Sequence, residues 1–153
     1  GEQCILKMLF ATSGQTQAGR GEYTSTTACT GALTNAWDVI AIGTGSTAAS
    51  DTQVLLVNET GKGLENADGM KGLERGTATT KTWTNGTGST TTKIVLSKTF
   101  TNGSTNSATI AESGLFNSTS NDTNGMLARQ TFTGVALSNG DSITITWTFT
   151  VGN

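Results

Sequence analysis

Residues 142–151 constrain the fold of this chain more than any other stretch, because apolar and hydroxyl side chains alternate there without interruption. The stretch is SITITWTFTV. Successive side chains of a β-strand point to opposite faces, so the pattern separates large apolar residues from hydroxyls. We therefore predict a strand from Ser142 to Val151. Its core-facing residues would be Ile143, Ile145, Trp147, Phe149 and Val151.

Shorter apolar runs separated by turn residues extend this interpretation to the rest of the chain. Thr is abundant and favours strands, and Asn-Gly pairs favour type I′ hairpin turns. Several short strands with turns between them are typical of a sandwich or barrel. We predict a single-domain, all-β, antiparallel β-sandwich that is jelly-roll-like. Further strands are predicted at residues 5–12, 23–30, 37–42, 52–59, 77–84, 91–101, 108–112 and 126–137, with Asn-Gly turns starting at Asn85, Asn102, Asn124 and Asn139.

The N-terminal run CILKMLF is apolar on both faces of a strand. It has two interpretations: an internal central strand, or a donor strand inserted into a groove of a neighbouring subunit. The polar residues 13–22 would then be its tether. We accordingly divide the chain into an N-terminal strand and tether, residues 1–22, and a sandwich domain, residues 23–153. The donor-strand residues would be Cys4, Ile5, Leu6, Met8, Leu9 and Phe10.

A glycine-rich segment, GTGST at residues 43–47, follows the apolar run 39–42 and raises the question of a phosphate site. A P-loop needs a lysine directly after its last glycine, whereas the next lysine here is Lys62. A dinucleotide fingerprint needs a βαβ unit, which the strand pattern does not offer. We interpret the segment as a tight turn in which glycine relieves a positive φ. No cofactor is predicted.

The absence of histidine limits the chemistry open to the chain. It excludes Ser-His and Cys-His nucleophiles within this chain. Two cysteines without histidine are too few for a zinc site, and the scattered acidic residues do not resemble a calcium loop. We predict that the chain is not an enzyme, with no catalytic, cofactor-binding or metal-binding residues. We favour a disulfide between Cys4 and Cys29, with two buried thiols as the alternative.

Charge and hydropathy restrict the partners. The formal net charge is -2 and charged residues make up 13% of the chain. These values indicate no basic patch for nucleic acid. No apolar run approaches the roughly 20 residues of a membrane helix, so no membrane span is predicted.

Five N-x-[ST] sequons are candidate N-glycosylation sites, and most lie in predicted turns. A chain rich in Asn, Ser and Thr also generates such triplets by chance. Occupancy would require a secreted chain, and a start at Gly1 is what processing of a secreted precursor would leave. The candidate glycosylated residues are Asn58, Asn85, Asn102, Asn117 and Asn121.

Four motifs, in order, give the chain a resemblance to a family of small virion structural proteins of tailed phages. They are AIGTGSTAA (residues 41–49), IAESGLFN (110–117), MLARQTF (126–132) and GDSITITWT (140–148). The resemblance covers roughly residues 37–151, with Ser113 where alanine is usual. It implies a β-sandwich in a tail, fibre or head-associated role, and no catalytic residues.

The resulting functional hypothesis is a non-enzymatic structural subunit, located in a virion or outside the cell. Such a subunit would bind copies of itself, forming a homo-oligomer or helical filament through strand edges. One alternative is a secreted, glycosylated, pilus-like filament subunit that polymerises by donor-strand complementation. Another is a module that binds carbohydrate or a receptor, for which Trp37 and Trp83 would be the candidate aromatics. Other virion proteins or cell-surface glycans are further candidate partners.

Overall fold

Seven strands form two antiparallel sheets in the part of the chain that the structure describes. The computed structural model describes residues 5–6, 9–10, 36–61, 70–84, 91–121 and 125–152. One sheet has the strand order β2-β1-β5-β6 and the other β3-β4-β7, and every pairing is antiparallel. The predicted all-β antiparallel sandwich is therefore confirmed. The strands are β1 (Val39–Gly43), β2 (Gly76–Thr77), β3 (Thr80–Thr84), β4 (Thr92–Thr101), β5 (Ala108–Phe116), β6 (Met126–Leu137) and β7 (Ser142–Val151).

Strand β1 is buried on both faces, which explains why residues 39–42 are uniformly apolar rather than alternating. Ile40 and Ile42 belong to the main core cluster, together with inward-facing residues of β3, β4, β5 and β6. Val39 and Ala41 belong to a second cluster, which includes Leu56 from the segment after β1. Leu55 and Leu56 thus pack on the face of β1 that points away from the other sheet.

Strand β7 has the predicted bounds, and its odd-numbered residues pack against the core cluster as predicted. They are half-buried rather than fully buried, because β4 is the only described strand that lies beside β7. Phe10 covers part of this row, with its ring centroid 4.6 Å from that of Phe149.

The indole N–H of Trp147 donates to Ser113 Oγ at 3.2 Å, and that hydroxyl donates to the carbonyl of Ala41. Ser113 therefore satisfies the one polar atom of a core tryptophan.

The N-terminal segment differs from the prediction. Ile5, Leu6, Leu9 and Phe10 are helical, so the predicted strand at residues 5–12 is wrong for these four residues. Leu6 and Phe10 are 1% and 0% exposed and belong to the core cluster of their own chain. Helical spacing explains this, since residues four apart share one face of a helix. Insertion of the segment into a neighbouring subunit stays a prediction, and Cys4 and Met8 lie outside the described residues.

The strand predicted for residues 52–59 is also wrong. Only Glu59 of this segment takes part in a β-bridge, with Gly43. The N–H groups of Val57 and Asn58 donate to the carboxylate of Glu112 instead of to a neighbouring strand. These two N–H groups are therefore not available for pairing with a strand, because the buried Glu112 side chain accepts their hydrogen bonds. The strand predicted for residues 23–30 lies outside the described residues.

The chain crosses between the sheets after β6, and the crossing ends at Asn139-Gly140. Gly140 has a φ of 85°, and the N–H of Asp141 donates to the carbonyl of Ser138 at 3.0 Å. The Gly140 N–H donates to the carbonyl of Asn102, whose own N–H donates to the carbonyl of Asp141. These are the bonds of a G1 bulge, with glycine in the left-handed region. The predicted type I′ hairpin is wrong here, because β6 and β7 belong to different sheets.

The Asn102-Gly103 pair does not form a hairpin turn either. It connects β4 to β5 of the other sheet, and neither residue has a positive φ. Asn102 is 0% exposed, and its side-chain N–H groups donate to the carbonyls of Asn106 and Leu137 at 2.9 and 3.0 Å. Asn85 and Asn124, which begin the other two predicted turns, lie outside the described residues.

Candidate functional site

The outer edge of β7, termed the β7 edge, is the candidate functional site. Strand β7 is ten residues long and pairs with β4 over its whole length, without a register shift. Among the described residues, no strand pairs with its other side. Such an edge presents unpaired N–H and C=O groups and is a template for another strand.

The bonds at the start of β7 show which backbone groups are free. The N–H of Asn102 donates to the carbonyl of Asp141, so this carbonyl points toward β4. Consecutive residues of an antiparallel strand point their N–H and C=O groups to opposite sides. The odd-numbered residues of β7 therefore bond to β4. The outward-pointing groups belong to the even-numbered residues Ser142, Thr144, Thr146, Thr148 and Thr150.

The same even-numbered residues form an exposed hydroxyl row on the outer face of the sheet. Two of them continue the row onto β4, where Thr144 Oγ1 lies 2.7 Å from Thr99 Oγ1 and Ser142 Oγ lies 2.7 Å from Thr101 Oγ1. Residues 142–151 contain no charged residue and no proline. The β7 edge therefore lacks the lysines, prolines and bulges that keep natural edge strands from pairing.

The other sheet edges are less suited to accepting a strand. The register between β5 and β6 shifts twice, between Ile110 and Glu112 and between Leu115 and Phe116. Bulges of this kind bend a strand and disrupt its ladder. The edge strands β3 and β2 have only five and two residues. Among the described strands, β7 alone offers a long and regular free edge.

The glycine-rich segment after β1 encloses a carboxylate of the chain itself. Glu112 is 0% exposed, and its Oε1 accepts hydrogen bonds from the N–H groups of Gly45 and Asn58 at 3.1 and 2.7 Å. Its Oε2 accepts from the N–H of Val57 at 3.1 Å and from Nε of Arg129 at 2.7 Å. Backbone N–H groups that converge in this way form an anion-binding concavity. Here the anion is Glu112, and the arrangement is termed the Glu112 cluster.

Glycine is needed in this segment for space rather than for backbone conformation. Neither Gly43 nor Gly45 has a positive φ, so the predicted reason for glycine is wrong. A Cβ at either position would lie 2.5 Å from Glu112 Oε1. Only glycine lets the chain approach the carboxylate this closely.

The guanidinium of Arg129 joins the Glu112 cluster to the segment that follows the glycines. It donates from Nη1 to Gln53 Oε1 at 2.9 Å and from Nη2 to the carbonyl of Thr47 at 2.8 Å. A shallow cavity of about 330 Å³ lies beside this contact and is lined by residues 49–51, 53 and 126–129. Two of its polar residues, Arg129 and Gln53, already bond to each other and so contribute to the fold.

Replacing Gly45 with alanine tests this account of the glycines. The new Cβ would lie 2.5 Å from Glu112 Oε1 and 2.8 Å from Val57 Cβ, so the segment has to move. We expect the free energy of unfolding to fall by about 1–3 kcal/mol, measured by urea denaturation. Gly103→Ala is the matched control, because its new Cβ would lie no closer than 3.3 Å to its nearest contact, the carbonyl oxygen of Lys71. Equal losses for the two variants would contradict the steric explanation.

The structure distinguishes among the predicted glycosylation sites. A glycan on Asn102 is incompatible with this fold, because the side chain is fully buried and its N–H groups are bonded, so that prediction is wrong. Asn58 is exposed, and Asn117 and Asn121 are half-buried, so glycosylation of these three stays a prediction. Asn85 lies outside the described residues.

Of the two tryptophans proposed as ligand-binding aromatics, Trp83 belongs to the core and Trp37 is half-buried beside it. Trp83 is 6% exposed in the main cluster, and Trp37 packs against that cluster. Trp83 therefore offers no exposed ring face to a sugar, and a binding role of Trp37 stays a prediction. Cys4 and Cys29 lie outside the described residues, so their disulfide stays a prediction.

Comparison with protein-family models, with curated proteins and with solved structures found no match to this chain. Within the described residues, no helix is both long and apolar enough to cross a membrane. In the same part of the chain, no three acidic or cysteine side chains converge as metal ligands would.

Proposed function

We propose that this chain is a non-enzymatic structural subunit that binds copies of itself through the β7 edge. The observation that carries the proposal is a ten-residue edge strand, residues 142–151, with no charge, proline or register shift. The outward backbone groups of five of its residues pair with no strand in the described part of the chain. Natural proteins usually protect such an edge, because it recruits other strands. An edge left open in this way suits a chain whose role is ordered assembly.

The surface chemistry supports the same proposal. The outer face of β7 exposes hydroxyls rather than charges, so copies can approach without repulsion or loss of ion pairs. The motifs that resemble tailed-phage virion proteins support a place in a tail, fibre or capsid-associated structure. A virion or extracellular location is part of this proposal.

Donor-strand polymerisation has less support than pairing at the β7 edge. Leu6 and Phe10 are fully buried in the core of their own chain, where Phe10 contacts Phe149. Withdrawing them to complete a neighbour would empty that core, and a buried phenylalanine contributes about 1.5–3 kcal/mol.

Matched lysine substitutions on two edge strands test the proposal. Thr146→Lys places a charge in the middle of the β7 edge, and Thr133→Lys places the same charge on exposed β6. We expect wild type and Thr133→Lys to associate equally in sedimentation velocity. Thr146→Lys should associate more weakly, by a factor of up to about five. A lysine in this edge meets the lysine of the second copy when the two edges pair, and such a like-charge contact costs up to about 1 kcal/mol.

The same experiment can contradict the proposal in two ways. A wild-type chain that stays monomeric at every concentration would show that the β7 edge is not an assembly site. Thr146→Lys that associates as tightly as Thr133→Lys would place the contact elsewhere. Unchanged urea midpoints for both variants would show that the fold is retained.

A further inference from the structure

We propose that the partner of the β7 edge is β7 of a second copy, paired antiparallel across a two-fold axis that passes through Thr146. This inference rests on the proposed function and specifies its first contact. The two three-stranded sheets would join into one six-stranded sheet, in the order β3-β4-β7-β7-β4-β3.

Length and regularity favour β7 as its own partner. A ten-residue edge is best satisfied by a strand of equal length, and β3 and β2 are half as long or shorter. Strand β6 is long enough, but its two register shifts interrupt a continuous ladder. A second β7 supplies ten regular residues and adds no charge.

The alternation of β7 restricts the register of such a pair. Side chains directly opposite each other lie on the same face of a sheet, so hydroxyls meet hydroxyls only when even-numbered residues face even-numbered residues. The free backbone groups also belong to the even-numbered residues. Pairing even-numbered residues with even-numbered residues therefore joins the outward backbone groups by hydrogen bonds and also keeps hydroxyl and apolar side chains on separate faces.

Centring the two-fold axis on Thr146 uses the whole edge. Thr146 then faces its own copy, Thr144 faces Thr148, and Ser142 faces Thr150, so all five residues with free groups form hydrogen-bonded pairs. On the inner face, each aromatic residue meets an isoleucine, a favourable combination in antiparallel sheets. These pairs are Trp147 with Ile145 and Phe149 with Ile143.

A two-fold contact is self-complementary and closes after one pairing. The β7 edge would therefore produce a dimer rather than an endless sheet. A larger assembly would be built from these dimers through a different surface.

Amide hydrogen exchange measured at several protein concentrations tests the pairing residue by residue. In dilute solution, we expect the amides of Thr144, Thr146 and Thr148 to exchange quickly, since their N–H groups point outward. The amides of Ile145 and Trp147 should exchange slowly, because they donate to β4. Raising the concentration should slow exchange of the three threonine amides and leave the other two unchanged.

Disulfide cross-linking then tests the register. Hydrogen-bonded antiparallel pairs have Cα atoms about 5.5 Å apart, within the range of a disulfide. Thr146→Cys should cross-link to itself, whereas Thr144→Cys should cross-link only when mixed with Thr148→Cys. Trypsin cuts after Arg129 and nowhere later, so each bond is identified by the mass of a linked peptide 130–153 that excludes Cys4 and Cys29.

The results separate this inference from the proposed function. If the threonine amides gain protection but Thr146→Cys does not cross-link to itself, β7 binds a different strand or register, and only the two-fold pairing is overturned. If the amides exchange quickly at every concentration, both the pairing and the proposed function are overturned.

Discussion

Replacing Glu112 with alanine should lower the free energy of unfolding by about 3–5 kcal/mol, the typical cost of removing one partner of a buried ion pair. Glu112 is 0% exposed, and the side chain of its partner Arg129 is 2% exposed. The substitution leaves that guanidinium charged and buried. It also leaves three backbone N–H groups without their acceptor, those of Gly45, Val57 and Asn58.

Urea denaturation measures this loss, with Asp51→Ala as the control. Asp51 is exposed, so its replacement should change stability by no more than about 0.5 kcal/mol. Adding Arg129→Met to Glu112→Ala should recover part of the loss, because the unpaired charge is then removed. A loss below about 1 kcal/mol for Glu112→Ala would show that the Glu112 cluster does not hold residues 44–58 in place.

Replacing Arg75 with alanine should cost a similar amount, about 3–5 kcal/mol. Arg75 and Glu59 form a two-pronged ion pair, with Nε–Oε1 and Nη2–Oε2 distances of 2.6 and 2.5 Å, and both side chains are nearly inaccessible. Nη1 also donates to the carbonyls of Ser118 and Ser120, and the guanidinium lies 3.8 Å from the ring centroid of Phe116. The substitution removes all of these contacts and leaves Glu59 charged and buried.

Arg75→Lys separates charge from geometry at the same position. An ammonium keeps the charge but not the planar fork, so we expect it to restore only part of the stability lost in Arg75→Ala. Exposed Lys71 supplies the control, and Lys71→Ala should behave as wild type in urea denaturation. Full stability of Arg75→Lys would mean that charge alone explains the contribution of Arg75.

The strands with the clearest local pattern were predictable from the amino-acid order. Residues 142–151 and 126–137 have the predicted bounds, and the row of odd-numbered apolar residues in β7 lies on the core side. Period-two alternation is a local property, because each residue alone determines whether its side chain suits water or the core. The strand predicted for residues 52–59 failed because this segment forms hydrogen bonds with a distant residue. The segment 52–59 gives its N–H groups to Glu112, more than fifty residues away.

The candidate site was only partly predictable for the same reason. The sequence shows that residues 142–151 form an uncharged, alternating strand, which is why strand edges were expected to mediate assembly. It does not show that β7 is an edge strand, or that β6 is bulged and the other edges are short. Nor does it show which N–H groups point outward, because this depends on the hydrogen bonds that Gly140 and Asp141 form with Asn102 in the G1 bulge.

The amino-acid sequence by itself determined the all-β class, the bounds of β6 and β7 and the separation of hydroxyl from apolar faces in β7, because backbone geometry alone imposes a period of two. Only the tertiary structure decided that the glycine-rich segment holds Glu112 and that Ile5, Leu6, Leu9 and Phe10 are helical. It also decided that, among the described strands, β7 has a neighbour on one side only. These outcomes depend on which distant groups compete for the same hydrogen bonds and the same buried volume. That competition is settled when the two sheets pack together.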